Sequence, residues 1–172
     1  MLSLLLAMGG GSLCAQDSQP TEYQIKAAFL YNFAKFVDWP PGAFEQPKSP
    51  IVFGILGESP FREDLARTIQ NKTVDSHPLV VRNYQSAAQA TNCHILFICI
   101  SEKKRLPEIL MSLKGHSVLT VSETERFTEA GGMINFVLQG TKIRLRINNA
   151  AATQAGLKIS SKLLSLALRD EG

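Results

Sequence analysis

Side chains that could carry out catalysis are few in this sequence and do not recur at the spacings that catalysis needs. His77, His94 and His116 are isolated from one another and from any close run of Cys, Asp or Glu, so no metal site is expected. The stretch GILGESPF, residues 54–61, joins an apolar run to a helix start through two glycines. It has neither the third glycine of a dinucleotide fingerprint nor the lysine of a P-loop, and it reads as an ordinary strand-to-helix turn. Ser101, Ser122 and Ser160 each fall near a strand end or a helix start, but none sits in a nucleophile elbow, so capping is their expected role. Cys93 and Cys99 flank HILFI. If that segment is one strand, a rise of about 3.3 Å per residue holds the two sulfurs beyond disulfide reach, and both thiols are expected to be free and packed as small apolar groups. No catalytic residue, metal or cofactor is therefore expected, and the chain reads as a non-enzyme.

One charged pattern is ordered. Lys142, Arg144 and Arg146 alternate with Ile143, Leu145 and Ile147, which on a strand sends the cations to one face and the apolar residues to the other. Such a row serves either as a docking surface or as a guard against strand-to-strand association at a sheet edge.

The elements that must position these residues follow from periodicity. Tyr23, Ile25, Phe29, Leu30, Phe33, Ala34, Phe36 and Val37 fill more than half of a helical circumference, leaving Gln24, Asn32, Lys35 and Asp38 as a polar stripe that also carries Tyr31. Trp39-Pro40 is the expected end of that helix, because a residue before proline is pushed out of the helical region. From Ile51 onward, short apolar runs alternate with amphipathic stretches: strands at IVFGILG, PLVVRNY, HILFICI and SVLTVSE, and helices after Ser59-Pro60 and over Leu106 to Leu113. A helical turn is expected around Glu125 to Glu129. MINFVLQGTKIRLRI then alternates on both sides of Gln139-Gly140, as a β-hairpin does. The tail divides at Gly156 into a helix, an extended Leu157-Lys158-Ile159 and a last helix capped by Ser160. The expected fold is α/β: a single three-layer domain with a mixed, mostly parallel sheet of about six strands flanked by helices, ending in a β-hairpin and then a helix.

The chain has 172 residues and a net charge of +3 spread without an arginine-rich run, so one domain is expected and nucleic acid is not an expected partner. Residues 1–15 hold an apolar run followed by Leu13-Cys14-Ala15, which reads as an export signal, although the basic residues that usually open one are missing and the true start could lie upstream. Residues 16–21 are expected to be an unstructured mature amino terminus, and 22–170 the folded domain. No other segment approaches the roughly twenty apolar residues of a membrane span, so the mature chain is expected to be periplasmic without inserting into the membrane.

The segments YQIKAAFLYNFAKFVDWP, CHILFI, VLTVSETERFTEAGGMINFVLQGTKIRLRIN and AGLKISSKLLSLA together resemble the YfiR family of small exported proteins, from Tyr23 to Ala167. The resemblance implies a periplasmic repressor that binds the periplasmic sensing region of an inner-membrane diguanylate cyclase, lowers cyclic di-GMP and biofilm formation, and forms homodimers. Disulfides can regulate repressors of that family. Here only Cys93 matches a family cysteine position, which puts redox control in doubt. On this reading Arg144, Arg146, Asn148, Leu157 and Ile159 are the candidate partner-binding residues, and Phe36 and Trp39 the candidate dimer contacts. The tail also resembles, more faintly, the closing segment of some periplasmic solute-binding proteins. That implies an alternative, a small-molecule-binding module feeding a sensor or transporter, with its pocket at the carboxyl ends of the parallel strands near Gly57, Glu58 and Ser101.

Overall fold

The computed structural model describes residues 20–168. The expected export signal over 1–15 lies outside the described residues, as do 16–19 and 169–170. Thr21, placed by the sequence in the unstructured segment, begins the fold. Its hydroxyl accepts from Gln24 N at 3.3 Å while its own N–H donates to the Gln24 side chain at 2.9 Å, a reciprocal cap for α1 (Glu22–Phe36). Helix α1 buries Ala27, Leu30, Phe33 and Ala34. It stops at Phe36, earlier than Trp39-Pro40 would require, because Val37 turns extended and begins β1 (Val37–Asp38), which pairs antiparallel with β9 (Lys158–Ile159). A two-residue ladder near the far end of the chain thus overrides helical propensity.

Strands β2 (Ile51–Leu56), β4 (His77–Tyr84), β5 (Ile95–Ile98), β6 (Leu119–Ser122) and β7 (Ile134–Gln139) are mutually parallel, and β8 (Lys142–Ile147) closes the sheet as the antiparallel partner of β7. The order is β3-β4-β2-β5-β6-β7-β8. The strand beyond the expected six is β3 (Thr73–Val74), antiparallel to β4. It escaped the sequence because it has only two residues, and because its turn places Asp75 and Ser76 at φ 48° and 69° without a glycine to announce it.

Alternation along each central strand divides the core into two layers. Ile51, Phe53, Ile55, Ile95, Phe97, Leu119 and Val121 pack on the side of α1, α2 (Phe61–Ile69), α4 (Asn149–Gln154) and α5 (Ser161–Leu164). Val52, Leu56, Leu96 and Ile98 pack on the side of α3 (Leu106–Ser112). The expected three-layer α/β architecture is therefore present. Pro60 takes the N-cap position of α2, with Ser59 Oγ accepting from Phe61 N at 3.2 Å, and residues 125–130 form the expected turn, in which Ala130 N donates to Arg126 O at 3.1 Å. Just after that turn Gly132 is obligatory, since a Cβ there would lie 2.2 Å from the buried Phe127 ring.

Candidate functional site

The hairpin β7–β8 is anchored in the core on one face and carries exposed cations on the other. Phe136 lies against Phe33 with centroids 6.0 Å apart and against Phe29 at 5.9 Å, while Ile134 and Leu145 join the same apolar layer under α1. The near end of the hairpin is pinned by Asn135, whose amide donates to Ser122 O and Thr124 O, each at 3.0 Å. On the opposite face Arg144 stands across from Val137 and Arg146 across from Asn135. Both arginines and Lys142 are exposed, as the alternation of β8 requires.

The other expected partner-binding residues lie differently. Asn148 spends its side chain on the fold: its oxygen accepts from Ala151 N at 3.0 Å to cap α4, and its amide donates to Thr128 O at 3.2 Å. Leu157 and Ile159 are only 2% and 6% exposed and belong to the core. The expectation of a surface contact does not hold for these two; the alternation seen in the sequence reports packing of β9, paired with β1, against α4. Phe36 is half-buried between the ammonium groups of Lys35 and Lys162, at 5.8 and 5.1 Å from the ring centre. Trp39 is also half-buried and donates its indole N–H to His94 O at 3.2 Å.

The alternative ligand-binding residues do come together. Ser101 Oγ accepts from Glu58 N at 3.1 Å, at the carboxyl ends of β2 and β5. Gly57 has φ +98°, and a Cβ there would lie 2.6 Å from Ser101 Oγ. At this crossover point Glu58 and Ser101 are exposed, and the close approach of Ser101 leaves no room for a side chain at Gly57. A cleft of about 530 Å³ opens instead at the amino ends of the strands, lined in part by Arg82, His94, His116 and Ser117.

Two buried ionisable groups escaped sequence reasoning. Lys26 has a side chain 3% exposed and forms ion pairs with Glu22 and Glu123. Burial pulls its ammonium pKa down, but hydrogen bonds and charge attraction from Glu123 and Glu22 outweigh this and leave it raised above 10.5. The signal was present in part, because Lys26 lies three residues after Tyr23 and four before Leu30 on the apolar face, with Glu22 one turn behind. His94 is buried at the start of β5, where its Nδ1 accepts from Val52 N at 3.1 Å and its Nε2 faces Ala43 O at 3.1 Å. A carbonyl can only accept, so Nε2 carries the proton and the ring is neutral. Burial lowers its pKa, opposed by the Ala43 hydrogen bond, and the nearby His77 lowers it further. Phe44 stacks on His94 at 4.5 Å and on His77 at 4.3 Å, holding the segment between β1 and β2 against the sheet. Burial pushes both the Cys93 and the Cys99 thiols up to about 12, so neither is poised as a thiolate nucleophile. Cys93 packs in the α3 layer and Cys99 in the α1 layer.

Among the described residues no helix is long and apolar enough to cross a membrane. A conserved domain protein from Vibrio cholerae O1 biovar El Tor has a similar solved fold, with TM-score 0.57 and 13% identity over 87% of this chain. This chain spans 60% of that one, and the likeness concerns the fold alone. The family model described as YfiR/HmsC-like matches residues 23–168, nearly the whole of the folded region. The chain belongs to the YfiR/HmsC-like family.

Proposed function

We propose that this protein is a periplasmic regulator that binds the periplasmic sensing domain of an inner-membrane diguanylate cyclase and holds that enzyme inactive, lowering cyclic di-GMP and biofilm formation. Family membership over residues 23–168 is the observation that carries this reading. The geometry agrees with it: the charged side chains exposed in an ordered row, Lys142, Arg144 and Arg146, lie on a rigidly anchored hairpin, a surface suited to recognition by another macromolecule. The protein acts without bond-making chemistry of its own and works by population shift. A preference of about 2.7 kcal/mol for the inactive cyclase biases it a hundredfold. Export by the amino-terminal signal and a homodimer formed around Phe36 and Trp39 belong to the same proposal.

Deleting the gene tests it. Cyclic di-GMP is expected to rise severalfold and to return when the wild-type gene is restored, and unchanged levels in a strain that expresses the cyclase would refute repression. A second reading, a periplasmic small-molecule-binding module, draws support from the 530 Å³ cleft at the amino ends of the strands, away from Gly57, Glu58 and Ser101. Thermal-shift screening with periplasmic metabolites separates the two.

A further inference from the structure

We infer that the outer edge of β8 is a strand acceptor, built to take an extended acidic segment of the protein's partner in parallel register. Strand β8 is the last in the sheet, so among the described residues the backbone groups on its far side have no neighbouring strand. At one position the chain itself shows how this edge is filled: Leu145 forms an isolated parallel bridge with Ala167, and Leu168 N donates to Leu145 O at 2.7 Å. Backbone groups alternate sides along a strand, so the N–H and C=O of Ile143 and Ile147 point outward with those of Leu145, while those of Lys142, Arg144 and Arg146 turn toward β7. The edge thus offers rungs at Ile143, Leu145 and Ile147, and among the described residues the tail holds the central one.

Charge decides the occupant. A second copy pairing through the same edge about a twofold axis at Leu145 would set Arg144 of one chain opposite Arg146 of the other on one face, and like charges directly opposite destabilise a ladder. The cationic row therefore blocks self-association at this edge. The same row attracts a strand with Asp or Glu at alternate positions, which would place carboxylates beside Arg144 and Arg146 while its backbone takes the rungs. Guard and docking surface are one device, and the Ala167–Leu168 segment is the plug that an incoming strand displaces. This inference rests on the repressor reading for the identity of the partner, but not for its test.

The probe is an acetylated, amidated octapeptide of alternating Glu and Thr, with the Lys–Thr octapeptide as control, titrated against the full folded domain at low salt. The Glu peptide is expected to bind and the Lys peptide not, with affinity falling as salt is raised. Ile143→Pro removes an outward N–H without removing a β7 hydrogen bond, and is expected to weaken binding at least tenfold, whereas Ile143→Ala keeps that N–H and most of the affinity. Leu168→Pro removes the plug's donor and is expected to tighten binding about threefold, a gain that misfolding does not produce. Equal binding of both peptides, no binding of either, or Ile143→Pro binding as tightly as Ile143→Ala would overturn the acceptor edge. Unchanged cyclic di-GMP on deletion would overturn repression and leave the edge standing.

Discussion

At the carboxyl ends of the strands Lys26 is buried and charged, enclosed by Glu22 and Glu123, whereas at the amino ends His94 is buried and neutral, enclosed by backbone groups of Val52 and Ala43. Both side chains are buried, yet the pKa of Lys26 is raised and that of His94 is lowered. Burial alone therefore does not fix the charge of an interior group; the charge of its partners does. The two arrangements carry different liabilities. A neutral donor and acceptor that lose a partner each leave one unsatisfied polar group, while a buried ion pair that loses a partner leaves an uncompensated charge.

The comparison breaks most visibly at Lys26. Lys26→Met retains length and apolar stem but strands Glu123, whose side chain is 17% exposed, and half-exposed Glu22. A loss of about 3 kcal/mol is expected, at the low end for buried pairs because water still reaches both carboxylates. Chemical denaturation measures it. Lys26→Met combined with Glu123→Leu should recover most of that loss, since replacing both partners removes the stranded charge. A double variant as unstable as the single one would mean that Lys26 matters through packing and not through its charge.

His94→Phe is the matching test at the other end and is expected to cost about 2 kcal/mol. The ring stays to stack on Phe44, but Val52 N and Ala43 O lose their partner, and a buried unsatisfied group costs about 1–3 kcal/mol. The loss should be local. Amide exchange is expected to rise at Val52 and through the 40–50 segment that Phe44 and Trp39 hold down, while β7 and β8 keep their protection. Uniformly faster exchange across the sheet would show that His94 supports the whole fold and not this one segment.

Much of this architecture was legible in the sequence because it is specified locally. The amino-terminal helix, the hairpin turning after Gln139 and the break in the tail at Gly156 with its Ser160 cap all come from periodicity and turn chemistry, and Leu163 N does donate to Ser160 Oγ at 3.2 Å. What escaped is specified by residues distant in the chain. The early end of α1 depends on β9, more than a hundred residues later. Lys26 is held by Glu123, and nothing around either residue identifies the other. His94 is fixed by backbone groups, which leave no mark in a sequence. The candidate site shows the same division. Alternation of Lys142, Arg144 and Arg146 correctly placed the cations on one exposed face, but the same alternation at Leu157 and Ile159 could not tell a surface strand from one buried beneath a helix.

The smallest effect is the one that tests the signs. His94 has a folded pKa below its ordinary 6.5, so between the two values the unfolded chain binds more protons. Its contribution to stability is present above 6.5 and is lost as pH falls toward the folded value, by at most about 1.4 kcal/mol per pH unit. Lys26 has a folded pKa above 10.5, so its contribution is full below 10.5 and is lost as pH rises through the folded value. Melting temperature should therefore hold a plateau and decline on both sides, the acid side governed by the amino-end site and the alkaline side by the carboxyl-end site. Between about pH 7 and pH 5, before most carboxylates titrate, His94→Phe should flatten the acid decline, while Lys26→Met combined with Glu123→Leu, which leaves no stranded carboxylate at position 123, keeps it. If His94→Phe keeps the full decline over that window, another group is taking up the proton, and the neutral clamp at the amino ends is not what sets the acid limit of the fold.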